Sequence, residues 1–235
     1  EPQFRRPLLK SLRNVDCLHL SRADCRHYVF WAPATVELKG TAAGEYVAWG
    51  ESEGFHLRRT CAARHPWYSL PAQPAAQLVL PKGIWQRHFV PLLDDHLLVD
   101  QQLYQIRLAN DVPTVAAAAA LLNSSWTALQ CELLGRVNFG EGVLWLATYE
   151  LETLRLPSPR ELPPAQIAEL EGLFSQLAQR RVQEIEVELA QSDRRALDRA
   201  VFDLLGFVEA ERTAVLDALV ERVETRRRRA KEIMR

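Results

Sequence analysis

Gly135-Arg-Val-Asn-Phe-Gly140 has the glycine spacing of a phosphate-binding loop, but Glu141 stands where such a loop needs a lysine. That lysine must reach the β- and γ-phosphates, and the hydroxyl after it must hold magnesium. A carboxylate in its place repels phosphate. Dinucleotide folds run strand, glycines, helix. Here an apolar helical run comes first and an apolar strand-like run follows the glycines. Phe139-Gly-Glu-Gly142, close in type to the glycine loop that binds S-adenosylmethionine, fails for the same reason. The hinge is not a nucleotide site.

Other chemistry-bearing residues are weaker still. Cys17-Leu-His19 and Cys25-Arg-His27 place their pairs at i, i+2. Zinc sites use C-x2-4-C or H-x3-5-H knuckles instead, so no metal is expected and the four cysteines read as reduced thiols. Asp24 followed by Glu37-Leu-Lys39 has the residue types of a magnesium nuclease. E-x-K is common on any solvent-facing strand and needs its structural context to count. The sequence holds neither a G-x-S-x-G elbow nor an H-E-x-x-H helix. No catalytic residue is assigned.

Basic and aromatic residues interleave in two places. RRTCAARHPWYSLP sets Arg58, Arg59 and Arg64 beside Trp67 and Tyr68, and KGIWQRHF sets Lys82, Trp85, Arg87 and His88 in one turn-and-strand segment. Cationic groups neutralise phosphates, while arginine and glutamine reach base edges. Formal net charge is only −1, yet residues 53–90 carry five arginines and lysines against Glu53 alone. Local positive potential of this kind draws polyanions even when the whole protein is neutral. The competing reading makes Trp67 and Trp85 core residues flanked by surface charge.

The elements that must position these residues divide the chain. Up to about residue 110, HYVFWA, TVELKG, EYVAWG, QLVLP and QLYQIRL read as short strands cut by turn residues. Residues 114–135 read as one central helix, with Leu121, Leu122, Trp126, Leu129, Leu133 and Leu134 at helical spacing and Gly135 as its C-cap. VLWLATYEL then reads as a strand. Pro157-Ser-Pro159 and Pro163-Pro164 mark a boundary, beyond which everything reads helical. One face carries Ile167, Leu170, Leu173, Phe174 and Leu177; the next helix turns Leu197, Val201 and Phe202 inward and stops at Gly206. The last helix carries Val215, Leu216, Leu219 and Val223 into Arg226–Arg229, which reads as a solvated, dipole-matched end. The fold class is therefore α+β: a β-rich domain over residues 1–156 and a helical region over 157–235. No run approaches the roughly 18 apolar residues of a membrane span, no signal peptide opens the chain, and a cytoplasmic location is expected. The sole methionine is Met234, so the chain reads as a piece of something longer.

HPWYSLP, LPKGIWQRHF, LLVDQQLYQI and ALLNSS…ELLGRVNFGEGVLWLATYELETLRLPSP, in that order, resemble the C-terminal part of N6-adenine DNA methyltransferases of type I and type IIG restriction–modification systems. The TaqI-like specificity domain is the nearest fold. ALDRAVFDLLGFVEAER resembles the helix pair that ends many such proteins, with Phe207-Val208 in place of the usual Leu-Thr. The likeness covers most of residues 45–225. It implies a target-recognition domain whose loops lie on duplex DNA, while a separate N-terminal domain binds S-adenosylmethionine and flips the adenine out of the stack. That domain carries an N-P-P-Y-type motif; His65-Pro-Trp-Tyr68 and Leu162-Pro-Pro164 do not qualify, so no cofactor is expected in this chain.

The resemblance gives the hinge a second reading. Its glycines let backbone lie close to DNA or to the methyltransferase domain, with Arg136 and Asn138 as contacts. Alternatively, Gly135 caps the helix and Arg136 pairs with a carboxylate such as Glu141. The expected DNA-contacting set is then Arg58, Arg59, Arg64, Trp67, Lys82, Trp85, Arg87, His88, Arg136 and Asn138. Expected partners are double-stranded DNA, the parent methyltransferase domain and a restriction subunit. Two rival readings are a helical scaffold subunit of a restriction–modification complex and a magnesium nuclease using Asp24, Glu37 and Lys39.

Overall fold

The computed structural model describes residues 1–138 and 142–233, with the side chains of Asn138 and of residues 231–233 left out. The first half holds β1 (Arg5–Leu9), β2 (His19–Leu20), β3 (His27–Phe30), α1 (Ala42–Ser52), α2 (Arg59–Ala62), β4 (Leu78–Pro81), β5 (Gly83–Ile84), β6 (Leu92–Leu93), β7 (Leu98–Val99) and β8 (Leu103–Ile106). The second half holds α3 (Val115–Leu122), α4 (Ser125–Leu134), β9 (Arg136–Asn138), β10 (Val143–Trp145), α5 (Thr148–Leu151), α6 (Pro164–Leu177), α7 (Ile185–Glu188), α8 (Ser192–Leu205) and α9 (Glu209–Ile233). Among the described residues the strands form three small sheets, in orders β3-β1-β7, β2-β6-β4-β8 and β5-β10-β9. The fold is α+β, as the element pattern indicated.

HYVFWA, QLVLP and QLYQIRL supply β3, β4 and β8. Two strand expectations are overturned. TVELKG is a run of turns, and EYVAWG lies inside α1. Thr41 caps that helix, its Oγ1 accepting from Gly44 N at 3.0 Å, the arrangement that satisfies an orphan amide of the first turn. Ala43, Val47 and Gly50 then turn inward at i, i+4 and i+7. This helical stripe was hidden by β-type composition. Likewise VLWLATYEL gives only the three-residue β10 before α5 begins.

The expected helix over 114–135 is two helices. Asn123 leaves the helical path because its amide completes the backbone of another segment: Oδ1 accepts from Val90 N at 2.9 Å, and Nδ2 donates to Val90 O and Ala119 O. Ser124 caps α4 by accepting from Thr127 N. Gly135 ends α4 in extended backbone (φ −73, ψ 159), not as a left-handed cap. A Cβ there would sit 2.7 Å from Leu144 Cδ1. Ala117 to Ala120 are buried, and their small side chains let α6 pack against α3.

The helical stripes behave as their spacing indicated. Ile167, Leu170, Phe174 and Leu177 are buried on α6, Leu197, Val201 and Phe202 on α8, and Val215, Leu219 and Val223 on α9. Gly206 closes α8 with φ +72. The main hydrophobic cluster runs from Leu9 and Leu78 through Ala119 and Leu144 to Phe174 and Val201. The proline-marked position at 157 is thus a change of element type that the core crosses. A second cluster joins α4, α8 and α9 through Leu129, Phe202, Leu219 and Val223. A third, Phe4, Ala32, Leu38 and Ala43, seats α1 beside β1 and β3.

Buried polar groups fix the register of these helices. Asp198 on α8 accepts from Ser125 N at 2.6 Å and from Ser125 Oγ at 2.5 Å, at the N-terminal end of α4. Arg194 donates to Asp198 Oδ2 at 3.3 Å and to Ser125 Oγ at 3.2 Å. Arg180, after α6, holds Glu188 and Asp193 in a double fork. Both carboxylates therefore meet a matched donor set, which buried charge requires.

Candidate nucleic-acid interface

The sheet β5-β10-β9 presents the largest outward-facing indoles of the chain's middle. Leu144 pairs with Ile84 and Val137, and Trp145 pairs with Gly83 and Arg136. Alternation sends Leu144 and Ile84 into the core and Trp145 outward, on the same face as Arg136 directly opposite. Trp145 is 40% exposed and Trp85, just beyond β5, is 44% exposed. Both line one cleft of about 730 Å³ together with Arg13, Gly83, Gln102 and Val143.

The back of this sheet is tied to the C-terminal helices. Arg226 on α9 donates from Nη1 to the carbonyls of Trp85 (2.8 Å) and Gly142. The same guanidinium grips Glu132 of α4, Nε to Oε2 at 3.0 Å and Nη2 to Oε1 at 2.6 Å. His88 Nε2 meets Glu132 Oε1 at 2.8 Å. All three residues are buried, at 7%, 6% and 3% exposure for His88, Glu132 and Arg226. Burial alone would raise the Glu132 carboxyl; the hydrogen bonds from His88 and Arg226, with their charges, outweigh it and hold it below the usual carboxylate range. The neighbouring Cys131 thiol has no such partner, and burial, with the Glu132 charge, pushes it up to about 12, leaving it an inert core group. Trp85 is also held by its side chain. With the Gln86 amide turned to satisfy both ends, Gln86 accepts from Trp85 Nε1 at 3.2 Å and donates to Glu184 Oε1 at 2.6 Å. Gln86 O also accepts from Ile185 N at the start of α7.

Two expectations are corrected by this geometry. His88 is an interior residue bound to Glu132, so it cannot reach a ligand from the surface. Arg226 is not part of a solvated end; it is the clamp between α9, α4 and the segments flanking the paired β5 and β10. The hinge glycines are also answered in part. Gly142 (φ +70) lies against α9, where a Cβ would stand 2.6 Å from that of Ala230. Its close approach is to the protein's own helix. Gly140 and Glu141 lie outside the described residues, as does the side chain of Asn138, whose backbone pairs with Val143.

The remaining candidates fall into three situations. Arg87 is turned inward, donating to the carbonyls of Val15 (2.7 Å), Arg13 (2.8 Å) and Leu12 (3.3 Å), so it organises the loop after β1 in place of the expected outward contact. Arg136 belongs to the β5-β10-β9 surface and Lys82 borders it: Lys82 Nζ lies 5.0 Å from the Tyr104 ring centre, and Arg136 pairs with Glu150 at 3.0 Å while lying over Tyr149. The pair with Arg136 is thus made by Glu150. Arg58, Arg59, Arg64 and Trp67 sit on a separate unit built from α1 and α2. Arg58 covers Phe55 at 4.3 Å, Arg59 is exposed, and Arg64 Nη2 meets Cys61 Sγ at 3.3 Å. Trp67 donates to Glu51 Oε1 at 3.0 Å and slides under Gly50, where a Cβ would be 2.8 Å from the indole edge. It is a strut of that unit, half-buried. Tyr46 and Trp49 form the outward stack there instead, ring centres 5.5 Å apart.

The rival chemistry loses its context. Glu37 lies in a turn region and not on a strand, and Asp24 closes a one-turn helix by accepting from Ser21 N at 2.9 Å. His19 Nδ1 meets Asp94 at 2.9 Å. Among the described residues no group of three or more His, Cys, Asp or Glu is placed to hold a metal ion, and no helix is long and apolar enough to cross a membrane. Sequence reasoning missed Trp145, Arg13, Glu132, Gln86 and Glu184. For Trp145 a signal existed, since the alternation Val143-Leu144-Trp145 puts it opposite the buried Leu144. For the others none did, because their partners lie far along the chain.

Residues 10–194 match the family described as type II methyltransferase M.Eco57I, C-terminal domain, and the chain belongs to that family. Its fold is similar to that of the type IIG restriction endonuclease BpuSI, with a TM-score of 0.57 at 10% sequence identity over 96% of this chain. The chain spans 27% of that protein, about a quarter of its length. No curated protein matches the sequence.

Proposed function

We propose that this chain is the TaqI-like specificity part of a cytoplasmic restriction–modification methyltransferase, the part that reads its duplex DNA target, with N6-adenine chemistry carried by a separate S-adenosylmethionine-binding domain. The observation that carries the reading is the outward face of β5-β10-β9. Trp85, Trp145 and Arg136 stand there, with Lys82 to one side over Tyr104, and the carbonyls of Trp85 and Gly142 are held from behind by Arg226. A reader needs side chains held on a rigid support, since a contact misplaced by about 1 Å loses its geometry. The exposed Arg58 and Arg59 of the α1–α2 unit supply a second cationic group for phosphates.

Fluorescence anisotropy of the 235-residue chain with mixed-sequence duplex DNA at low salt tests this. Lys82→Ala and Arg136→Ala are each expected to weaken binding on all sequences and to lower the salt slope by about 1. Arg199→Ala, on the exposed side of α8, should bind as the parent does. Equal binding by all three variants and the parent would favour the helical scaffold reading and remove this one.

A further inference from the structure

The cleft beside this surface has a composition of its own. Trp145 forms one wall, over Gly83, which carries no side chain to fill the space: a Cβ there would already be 3.5 Å from the Trp145 ring and 3.0 Å from Val143. Trp85 lines the same cleft, with its indole nitrogen tied to Gln86 and its carbonyl tied to Arg226. Arg13 and Gln102 stand at the rim, both exposed. The Arg13 carbonyl is fixed by Arg87, which leaves its own side chain free to turn toward a ligand.

A duplex surface reads base edges from the groove and has no use for a cleft of about 730 Å³. A single base taken out of the stack offers two apolar faces, a polar edge and an adjoining phosphate. Indoles stack on such faces whatever the base, a glutamine amide pairs with a base edge, and a guanidinium matches a phosphate. From the match between those four features and Trp145, Trp85, Gln102 and Arg13, we propose that this cleft receives an unstacked nucleobase with its phosphate. The base comes either from a single strand or from a duplex position that has lost its pairing. The inference rests on reading the β5-β10-β9 face as one that meets nucleic acid, and it adds a second mode of contact to that face.

Three labelled DNAs separate the outcomes by anisotropy: a short oligothymidine, a fully paired duplex, and that duplex with one extra unpaired thymine. The parent chain should bind oligothymidine and should prefer the bulged duplex to the paired one. Trp145→Ala should weaken oligothymidine binding by about 5- to 100-fold, the range of one lost base–aromatic stack, and abolish the preference for the bulge. It should weaken paired-duplex binding by a smaller factor than oligothymidine binding, and Arg199→Ala on the exposed side of α8 should leave both unchanged. Trp145→Phe, which keeps a flat ring, should restore most of the loss, and an unchanged melting temperature certifies each fold. If the parent ignores the unpaired thymine, or if Trp145→Ala holds oligothymidine as tightly as the parent, the cleft proposal is overturned while paired-duplex binding still reports on target reading. Trp145-dependent binding of oligothymidine without any duplex binding would keep the cleft and overturn the duplex reading.

Discussion

Glu132→Ala is expected to lower the unfolding free energy by about 3–5 kcal/mol, the usual cost of removing one partner from a buried ion pair. The loss is large because Glu132 serves two buried groups. Arg226 would keep its charge with two of its five hydrogen bonds gone, and His88 would lose its carboxylate partner. The helix α9 would then loosen from the paired β5 and β10, so the damage extends to the surface that carries Trp85 and Trp145. Urea unfolding followed by circular dichroism measures the change. Glu132→Gln keeps the shape and one acceptor and should cost less than the alanine variant. The same site sets an acid limb. Because the folded-state carboxyl of Glu132 titrates below its ordinary value, its stabilisation is complete above about pH 4.3 and is lost as pH falls through the lowered value. Asp193, partly buried but held low by hydrogen bonds from Arg180 and its own helix backbone, contributes with the same sign. In Glu132→Gln the gap to the parent should therefore narrow as pH falls below 4, and a constant gap from pH 7 to pH 3 would show that the carboxylate form is not what stabilises the clamp.

Asp198→Ala should destabilise by a similar amount, about 3–5 kcal/mol, by a different route. Asp198 accepts the Ser125 amide at the start of α4, a backbone donor that the helix itself leaves unpaired. It is also the side-chain carboxylate against Arg194, which is 2% exposed. Removing it strands a buried amide and a buried guanidinium together. Asp198→Asn retains an acceptor for Ser125 and should cost about 1–2 kcal/mol less than alanine. Thermal unfolding of the two variants beside the parent gives the comparison, and equal stability of Asp198→Ala and the parent would sink this description of the α4–α8 junction.

How much of this was legible in the sequence follows from the range of the interactions. The stripes of α6, α8 and α9 showed because amphipathic spacing is local, and Gly206 showed because a helix stop is local too. α1 did not, since aromatic and β-branched residues in EYVAWG mask a helix whose start depends on the Thr41 cap. The break between α3 and α4 was present as Asn-Ser-Ser, but Asn123 acts through Val90, which spacing alone cannot reveal. For the surface, the basic and aromatic segments drew attention to residues 82–89, of which Trp85 stands outward. Within those eight residues, however, Arg87 and His88 turn inward to carbonyls and to Glu132. A charged or polar residue beside a tryptophan is as useful for tying a loop down as for meeting a ligand, and only the position of its partner decides. Arg226 illustrates the same point in reverse: a run of four arginines reads as a solvated helix end, yet its first member is the most consequential buried cation near the site.

Hydroxyl-radical footprinting of the chain, free and with mixed-sequence duplex DNA at low salt, tests the central claim most directly. Oxidation of Trp85 and Trp145 is read by mass spectrometry, with the exposed side of α8 as the internal reference. Duplex DNA is expected to slow oxidation of both tryptophans while the α8 face reacts as before. Unchanged reactivity of Trp85 and Trp145 under conditions where the DNA is bound, with protection confined to the helical end, would contradict it.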